Sequence, residues 1–216
     1  MDIIGKLGGC GIVPVVVIED SNTAVETARA LYAGGIDVME ITLRTPAALA
    51  SIEAICSAVP EMLTGAGTVL NCKQTQSAMD AGAKFIVSPG LDEKQAVFCA
   101  ERGVPLVPGC VTPTEIMAAL KLGLNILKFF PASVYGGLPA MKALSAPFSG
   151  VKFIPTGGIT ISNLIDYAQS PVVYAVGGSW LCTKDDIKNA RFDKITALSK
   201  EAVKVWRSFD IRNGGK

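Results

Sequence analysis

Ile126-Leu127-Lys128-Phe129-Phe130-Pro131 is an apolar run with one lysine at its centre. The lysine needs an explanation, because burying an unpartnered ammonium is costly and a run this apolar makes a poor exposed loop. In a strand the side chains alternate, so Ile126, Lys128 and Phe130 share one face while Leu127 and Phe129 share the other. Two readings are open at this point. In one, the run is an edge strand whose lysine reaches solvent along its own stem. In the other, the strand is buried on both faces and the lysine is kept for its chemistry. What the flanking chain builds decides between them.

Similar runs recur on both sides, about every 20 to 25 residues, with amphipathic helical segments between them. They are Ile12–Ile18, Ile36–Thr42, Leu63–Val69, Lys84–Ser88, Val104–Pro108, Asn125–Phe130, Val151–Thr156 and Val172–Val176, eight in all. The helices are marked by their ends. Ser21 can cap a helix running to Ala33, which Gly34-Gly35 stops. Asn71 and Asp92 open two more, closed by Gly82 and Gly103. Thr112-Pro113-Thr114-Glu115 has the pattern of a capping box with proline at the first helical position, and Gly123 ends that helix. Thr160 and Ser162 offer caps after the seventh run. A last amphipathic helix, from about Asp193 to Phe209, places Ile195, Leu198, Ala202, Val205 and Trp206 on one stripe.

Strands alternating with helices build either an open doubly wound sheet or a closed (β/α)₈ barrel. The count of eight and the even spacing favour the barrel. A dinucleotide fold also wants a glycine-rich turn after its first strand, whereas Ile18-Glu19-Asp20-Ser21 follows this one. No linker or composition shift divides the chain, so residues 1–216 are expected to form one α/β barrel with a polar, frayed tail at Arg212 to Lys216.

Composition excludes several chemistries. With no histidine among 216 residues, a histidine general base, a Ser-His or Cys-His pair and a histidine-ligated zinc are ruled out. Proton transfer must then fall to a carboxylate, lysine, tyrosine, cysteine or water. The net charge is +1, with 20 basic and 19 acidic residues interspersed, which is not the basic stripe of a nucleic-acid binder. Cys10, Cys56, Cys72, Cys99, Cys110 and Cys182 are scattered and form no C-x-x-C pair. We expect them to be free buried thiols in a reducing cytoplasm. Ile12–Ile18 is too short to span a membrane and lacks a signal-peptide cleavage pattern. Half of the residues are hydrophobic but only 6% are aromatic, an aliphatic profile suggesting that some surface is buried between subunits.

In a barrel, functional groups gather at the C-terminal strand ends. Within Glu40-Ile41-Thr42-Leu43-Arg44-Thr45, alternation puts Glu40, Thr42 and Arg44 on one face. Glu40 then points into the barrel with Arg44 above it at the mouth; a plain Glu40–Arg44 ion pair is the bland alternative. Gly65-Ala66-Gly67-Thr68-Val69 combines close backbone approach with a hydroxyl at the mouth. Thr156-Gly157-Gly158-Ile159 and Gly177-Gly178-Ser179-Trp180 end the last two strands with matched glycine pairs, where barrels commonly cradle phosphate. In that setting Lys128 lies inside the barrel with Glu40 on the opposite wall. Burial favours its free amine and a facing carboxylate opposes that. An amine and a carboxylate together are equipment for Schiff-base chemistry.

These segments, with Ser88-Pro89-Gly90, Lys128-Phe129-Phe130-Pro131-Ala132 and Pro155-Thr156-Gly157-Gly158-Ile159, resemble the 2-keto-3-deoxy-6-phosphogluconate (KDPG) aldolases. The resemblance runs in order from about Ile12 to Trp206. It implies a (β/α)₈ barrel, often a homotrimer, catalysing class I aldol cleavage without metal or cofactor. The implied substrate is a 2-keto-3-deoxy sugar acid phosphate, with pyruvate as one product and 4-hydroxy-2-oxoglutarate as a second substrate. It implies Lys128 as the Schiff-base lysine and Glu40 as the acid/base, acting in part through a water. Arg44 and Thr68 would hold the pyruvate carboxylate, and Pro89 and Phe130 would pack around C3. Thr156 would set the preference at C4, and Gly157, Gly158, Gly178 and Ser179 would hold phosphate. Ser133-Val134-Tyr135 departs from the family, many of whose members carry Glu after the lysine motif. The rival readings are the C4-epimeric galactonate substrate, a metal-dependent enzyme on the same barrel, and a non-catalytic barrel. No nucleic-acid or membrane partner is expected.

Overall fold

The computed structural model describes residues 2–208. The expected frayed tail, and Phe209 at the end of the last expected helix, lie outside the described residues.

All eight expected strands form: β1 Ile12–Val16, β2 Val38–Thr42, β3 Leu63–Gly67, β4 Ile86–Val87, β5 Leu106–Val107, β6 Ile126–Phe129, β7 Lys152–Pro155 and β8 Val176–Gly178. Six pair in the order β5-β4-β3-β2-β1-β8, and β6 pairs with β7, every ladder being parallel. Parallel bridges at Gly109 with Lys128, Phe153 with Val173 and Thr156 with Gly177 join the two pieces into a ring. Direct pairing of β1 with β8 settles the choice left open above in favour of a closed (β/α)₈ barrel. The helices of the outer layer are α2 Ala24–Ala33, α3 Ala48–Ala58, α4 Cys72–Asp80, α5 Glu93–Glu101, α6 Pro113–Lys121, α7 Gly137–Ser145, α8 Leu164–Ala168, α9 Lys184–Lys188 and α10 Phe192–Ser208. The sequence reading had no element for α3, α7 or α9.

Alternation along the strands produces two separate cores. Met39, Ile41, Leu127 and Phe129 pack outward under the helices. Val38, Leu63, Phe85, Ile126 and Ile154 fill the barrel interior. Strands buried on both faces read as continuous apolar runs, which is why β6 is so apolar.

A helix that the sequence reading did not anticipate, α1 Ile3–Cys10, covers the N-terminal end of the barrel. Asp2 caps it by accepting the Gly5 amide at 2.8 Å, and Gly11 ends it at φ 73°. A Cβ at Gly11 would overlap the Trp206 indole. Leu7 of α1 joins the inner core, and the Tyr174 hydroxyl donates to the Ile4 carbonyl at 3.0 Å.

Other expected ends hold or shift by a residue. Asn71, Asp92 and Thr112 each accept a first-turn amide, and both halves of the Thr112/Glu115 capping box are present. Asp20, not Ser21, caps the turn at Ser21–Thr23 that leads into α2. Thr160 and Ser162 do not cap α8; their hydroxyls bond one another at 2.8 Å. Asn163 fixes that turn instead, accepting from the Thr160 amide and donating to the Gly158 carbonyl. The six cysteines are free, but only Cys99, Cys110 and Cys182 are buried, the other three being half-buried. Among the described residues no helix is long and apolar enough to cross a membrane.

Candidate active site

Lys128 sits at the point where β6 meets the end of β5. Its amide donates to the Pro108 carbonyl at 2.8 Å, and its carbonyl accepts from the Cys110 amide at 3.0 Å. The backbone is thus clamped on both sides before the side chain leaves the strand. That side chain points inward and is nearly buried, the residue being 6% exposed. Across the barrel, Glu40 of β2 is 3% exposed, and its Oε1 lies 3.4 Å from Lys128 Nζ.

Glu40 reaches this position because β3 gives it room. A Cβ at Gly67 would overlap the Glu40 carboxylate, and one at Gly65 would overlap the Phe85 ring. The glycines of β3 thus serve close packing across the barrel. Beneath the pair, Leu7, Val13, Phe85, Val87, Val107 and Ile154 leave a cavity of about 10 Å³. That space holds at most one water, so a substrate can approach Lys128 only from the mouth. Phe130, 42% exposed just beyond β6, flanks the approach with its ring centroid 5.5 Å from Nζ.

The remaining expected residues line the rim that the C-terminal strand ends form. Arg44, two residues past β2, makes no ion pair with Glu40 or with any other carboxylate among the described residues, so the bland alternative fails. Its Nε donates instead to Thr42 Oγ1 at 3.2 Å. Thr68 follows β3 at φ 57°, a left-handed conformation that costs a β-branched residue about 1–3 kcal/mol. Pro89 is exposed after β4. Thr156 is buried at the end of β7 and lines the same cavity as Lys128 and Glu40. Lys128, Glu40, Phe130 and Thr156 therefore form one cluster. Arg44, Thr68, Pro89 and the β7 and β8 termini surround it without hydrogen-bonding to Lys128 or Glu40.

The two glycine pairs differ in setting, and the expected bounds of the eighth strand need correcting. Gly157 and Gly158 lie in the β7–α8 turn at φ 91° and 80°, a left-handed conformation that favours glycine. Gly177 and Gly178 lie within β8, which runs later than the expected Val172–Val176. Their missing side chains make room for Thr156 Oγ1 and for the Trp180 ring. Only Ser179 of that segment is exposed.

Sequence reasoning missed the clamp made by Pro108 and Cys110, and the Thr42 contact to Arg44. The latter had a signal, since Thr42 shares the face of Glu40 and Arg44. Burial pushes the Cys110 thiol up to about 12, and burial with Asp186 nearby does the same for Cys182, so neither is a thiolate near neutral pH.

The family model described as KDPG and KHG aldolase matches residues 3–198. The KHG/KDPG aldolase of Escherichia coli K12 is 46% identical over 192 residues, 89% of this chain and 90% of that protein. Among solved structures, KDPG aldolase from Legionella pneumophila, holding pyruvate captured at low pH as a covalent carbinolamine, superposes with a TM-score of 0.90 at 40% identity. The match covers 94% of this chain and 98% of that one. The Zymomonas mobilis ZM4 aldolase with 3-phosphoglycerate superposes with a TM-score of 0.86 at 44% identity, covering 94% and 95%.

Proposed function

From the premise that this chain belongs to the KDPG and KHG aldolase family, we propose that it is the lyase that cleaves 2-keto-3-deoxy-6-phosphogluconate to pyruvate and glyceraldehyde 3-phosphate. 4-Hydroxy-2-oxoglutarate is its second substrate. The observation that carries this reading is an amine and a carboxylate 3.4 Å apart, buried together inside the barrel. The carbinolamine of the Legionella relative supports the covalent step.

Lys128 Nζ adds to the C2 carbonyl, and loss of water from the carbinolamine leaves an iminium. Glu40 takes the proton of the C4 hydroxyl. The C3–C4 bond breaks, its electron pair moves into the iminium, and the aldehyde departs from an enamine. Glu40 or its water protonates C3, and hydrolysis of the resulting iminium frees pyruvate and the lysine. The separation of 3.4 Å is long for a charge-assisted hydrogen bond, so the carboxylate is not locked onto the amine and remains free to move protons. Arg44 and Thr68 hold the pyruvate carboxylate, Pro89 and Phe130 enclose C3, and Thr156 faces C4. The β7–α8 turn at Gly157 and Gly158, with Gly178 and Ser179, takes the phosphate. Exposed Leu70, Val97 and Met117 are consistent with a homotrimer. The galactonate epimer is the less favoured substrate, since the 46% relative is named for KHG and KDPG.

Borohydride reduction in the presence of pyruvate tests the reading. We expect one reduced adduct per chain, mapping to the peptide that contains Lys128 and lost in Lys128→Ala. An adduct on another lysine, or none, refutes it. The phosphate cradle predicts faster cleavage of the phosphorylated substrate than of its dephosphorylated form, and equal rates would remove phosphate from the proposal.

A further inference from the structure

We propose that Thr42 is a positioning residue whose hydroxyl aims the Arg44 guanidinium at the substrate carboxylate. The inference rests on the role given to Arg44 above. Thr42 ends β2 and is fully buried, with no surface exposed at the mouth. A hydroxyl has one proton to donate and two lone pairs to accept with. The Thr42 proton goes to the Val16 carbonyl of β1 at 3.1 Å, which leaves its lone pairs facing away from β1. One of them accepts Arg44 Nε at 3.2 Å. The two terminal nitrogens of Arg44 then have no partner among the described residues. A guanidinium held at Nε with its far end free presents the paired N–H groups that match a carboxylate.

The backbone around this contact is held on both sides. The Leu43 amide donates to the Gly67 carbonyl of β3 at 2.8 Å, and the Thr45 hydroxyl donates to the Ile18 carbonyl beyond β1. Segment 42–45 is thus pinned between two strands, and the freedom left at the rim is that of the Arg44 side chain. The Thr42 hydroxyl removes much of it, before substrate arrives. Thr42 therefore acts on binding through Arg44, and leaves Lys128 and Glu40 alone.

The test follows the pyruvate dependence of borohydride trapping in Thr42→Val, Thr42→Ser, Arg44→Ala and the Thr42→Val/Arg44→Ala double variant. Thr42→Val should raise the half-saturating pyruvate concentration about three- to tenfold, the worth of one hydrogen bond, with the maximal rate within about twofold. Thr42→Ser keeps the hydroxyl and should behave as wild type. Adding Thr42→Val to Arg44→Ala should change nothing further, because the residue through which Thr42 acts is gone. If Thr42→Val does not accumulate as folded protein, Thr42→Ala serves in its place. A shift in Arg44→Ala without one in Thr42→Val overturns the proposal and leaves the Arg44 role standing. Equal losses in the serine and valine variants, or multiplying effects in the double variant, also overturn it, since both mean a packing role. No shift in Arg44→Ala refutes the carboxylate reading itself, and the proposal with it.

Discussion

Glu40 and Asp186 are both buried carboxylates, and they are partnered in opposite ways. Asp186, in α9, is 1% exposed and saturated with donors. Lys194 reaches Oδ1 at 2.8 Å and Arg191 at 3.3 Å, while the Thr183 hydroxyl donates to Oδ2 at 2.7 Å. Glu40 has Lys128 at 3.4 Å and no other hydrogen-bond partner among the described residues. A carboxylate that holds helices together is stabilised by filling its lone pairs. One that must accept and return a proton needs a lone pair in reserve. The partners differ as well. Arg191 and Lys194 keep about half of their side chains in water, whereas Lys128 is buried with Glu40.

Glu40→Gln separates the two carboxylates most strongly. It keeps the shape and removes the base, so kcat should fall about 10²- to 10⁴-fold in the protein that remains folded. A large loss of stability with modest loss of turnover would make Glu40 another Asp186. Asp186→Asn should do the reverse. Its cationic partners return to solvent, which keeps the cost near about 2 kcal/mol, or roughly 4–8 °C in Tm, with kcat/KM within about twofold. A turnover defect as large as that of Glu40→Gln would erase the distinction.

The smallest effect is in the pH dependence. Hydrogen bonds from Lys194, then Thr183 and Arg191, hold the Asp186 carboxyl below the usual carboxylate range. A depressed pKa contributes stability above the unfolded value and loses it as pH falls through the folded value. The Tm gap between wild type and Asp186→Asn should therefore be full at neutral pH and close only in acid below the ordinary aspartate range. A gap that persists in strong acid would mean that packing, and not charge, is what Asp186 supplies.

The parts of this molecule that were legible in the sequence are those governed by local chemistry. Period-two alternation placed Lys128 and Glu40 inside, because strands buried on both faces leave a polar residue little choice once its neighbours are apolar. Side chains that cap their own helix, at Asn71, Asp92 and Thr112, were equally readable. What could not be read depends on distant partners. Residue Ala47 begins α3 with no side-chain cap, so no punctuation marks it. Glycines 5, 8 and 9 make α1 a poor helix by propensity, and its stability comes from Leu7 and Tyr174 contacts. Gly177 and Gly178 look like a turn, yet pairing with Val13 and Pro14 of β1 makes them strand.

The helix that covers the barrel's lower end also fixes how deep a substrate can sit. Leu7 is the floor and Lys128 lies just above it, so nothing passes below the amine. A substrate held through Lys128, as proposed above, would have its pyruvyl portion deepest, and product-inhibition patterns should then show the aldehyde leaving before pyruvate. The eight residues of α1 would in that way bear on the order of release from beneath the amine.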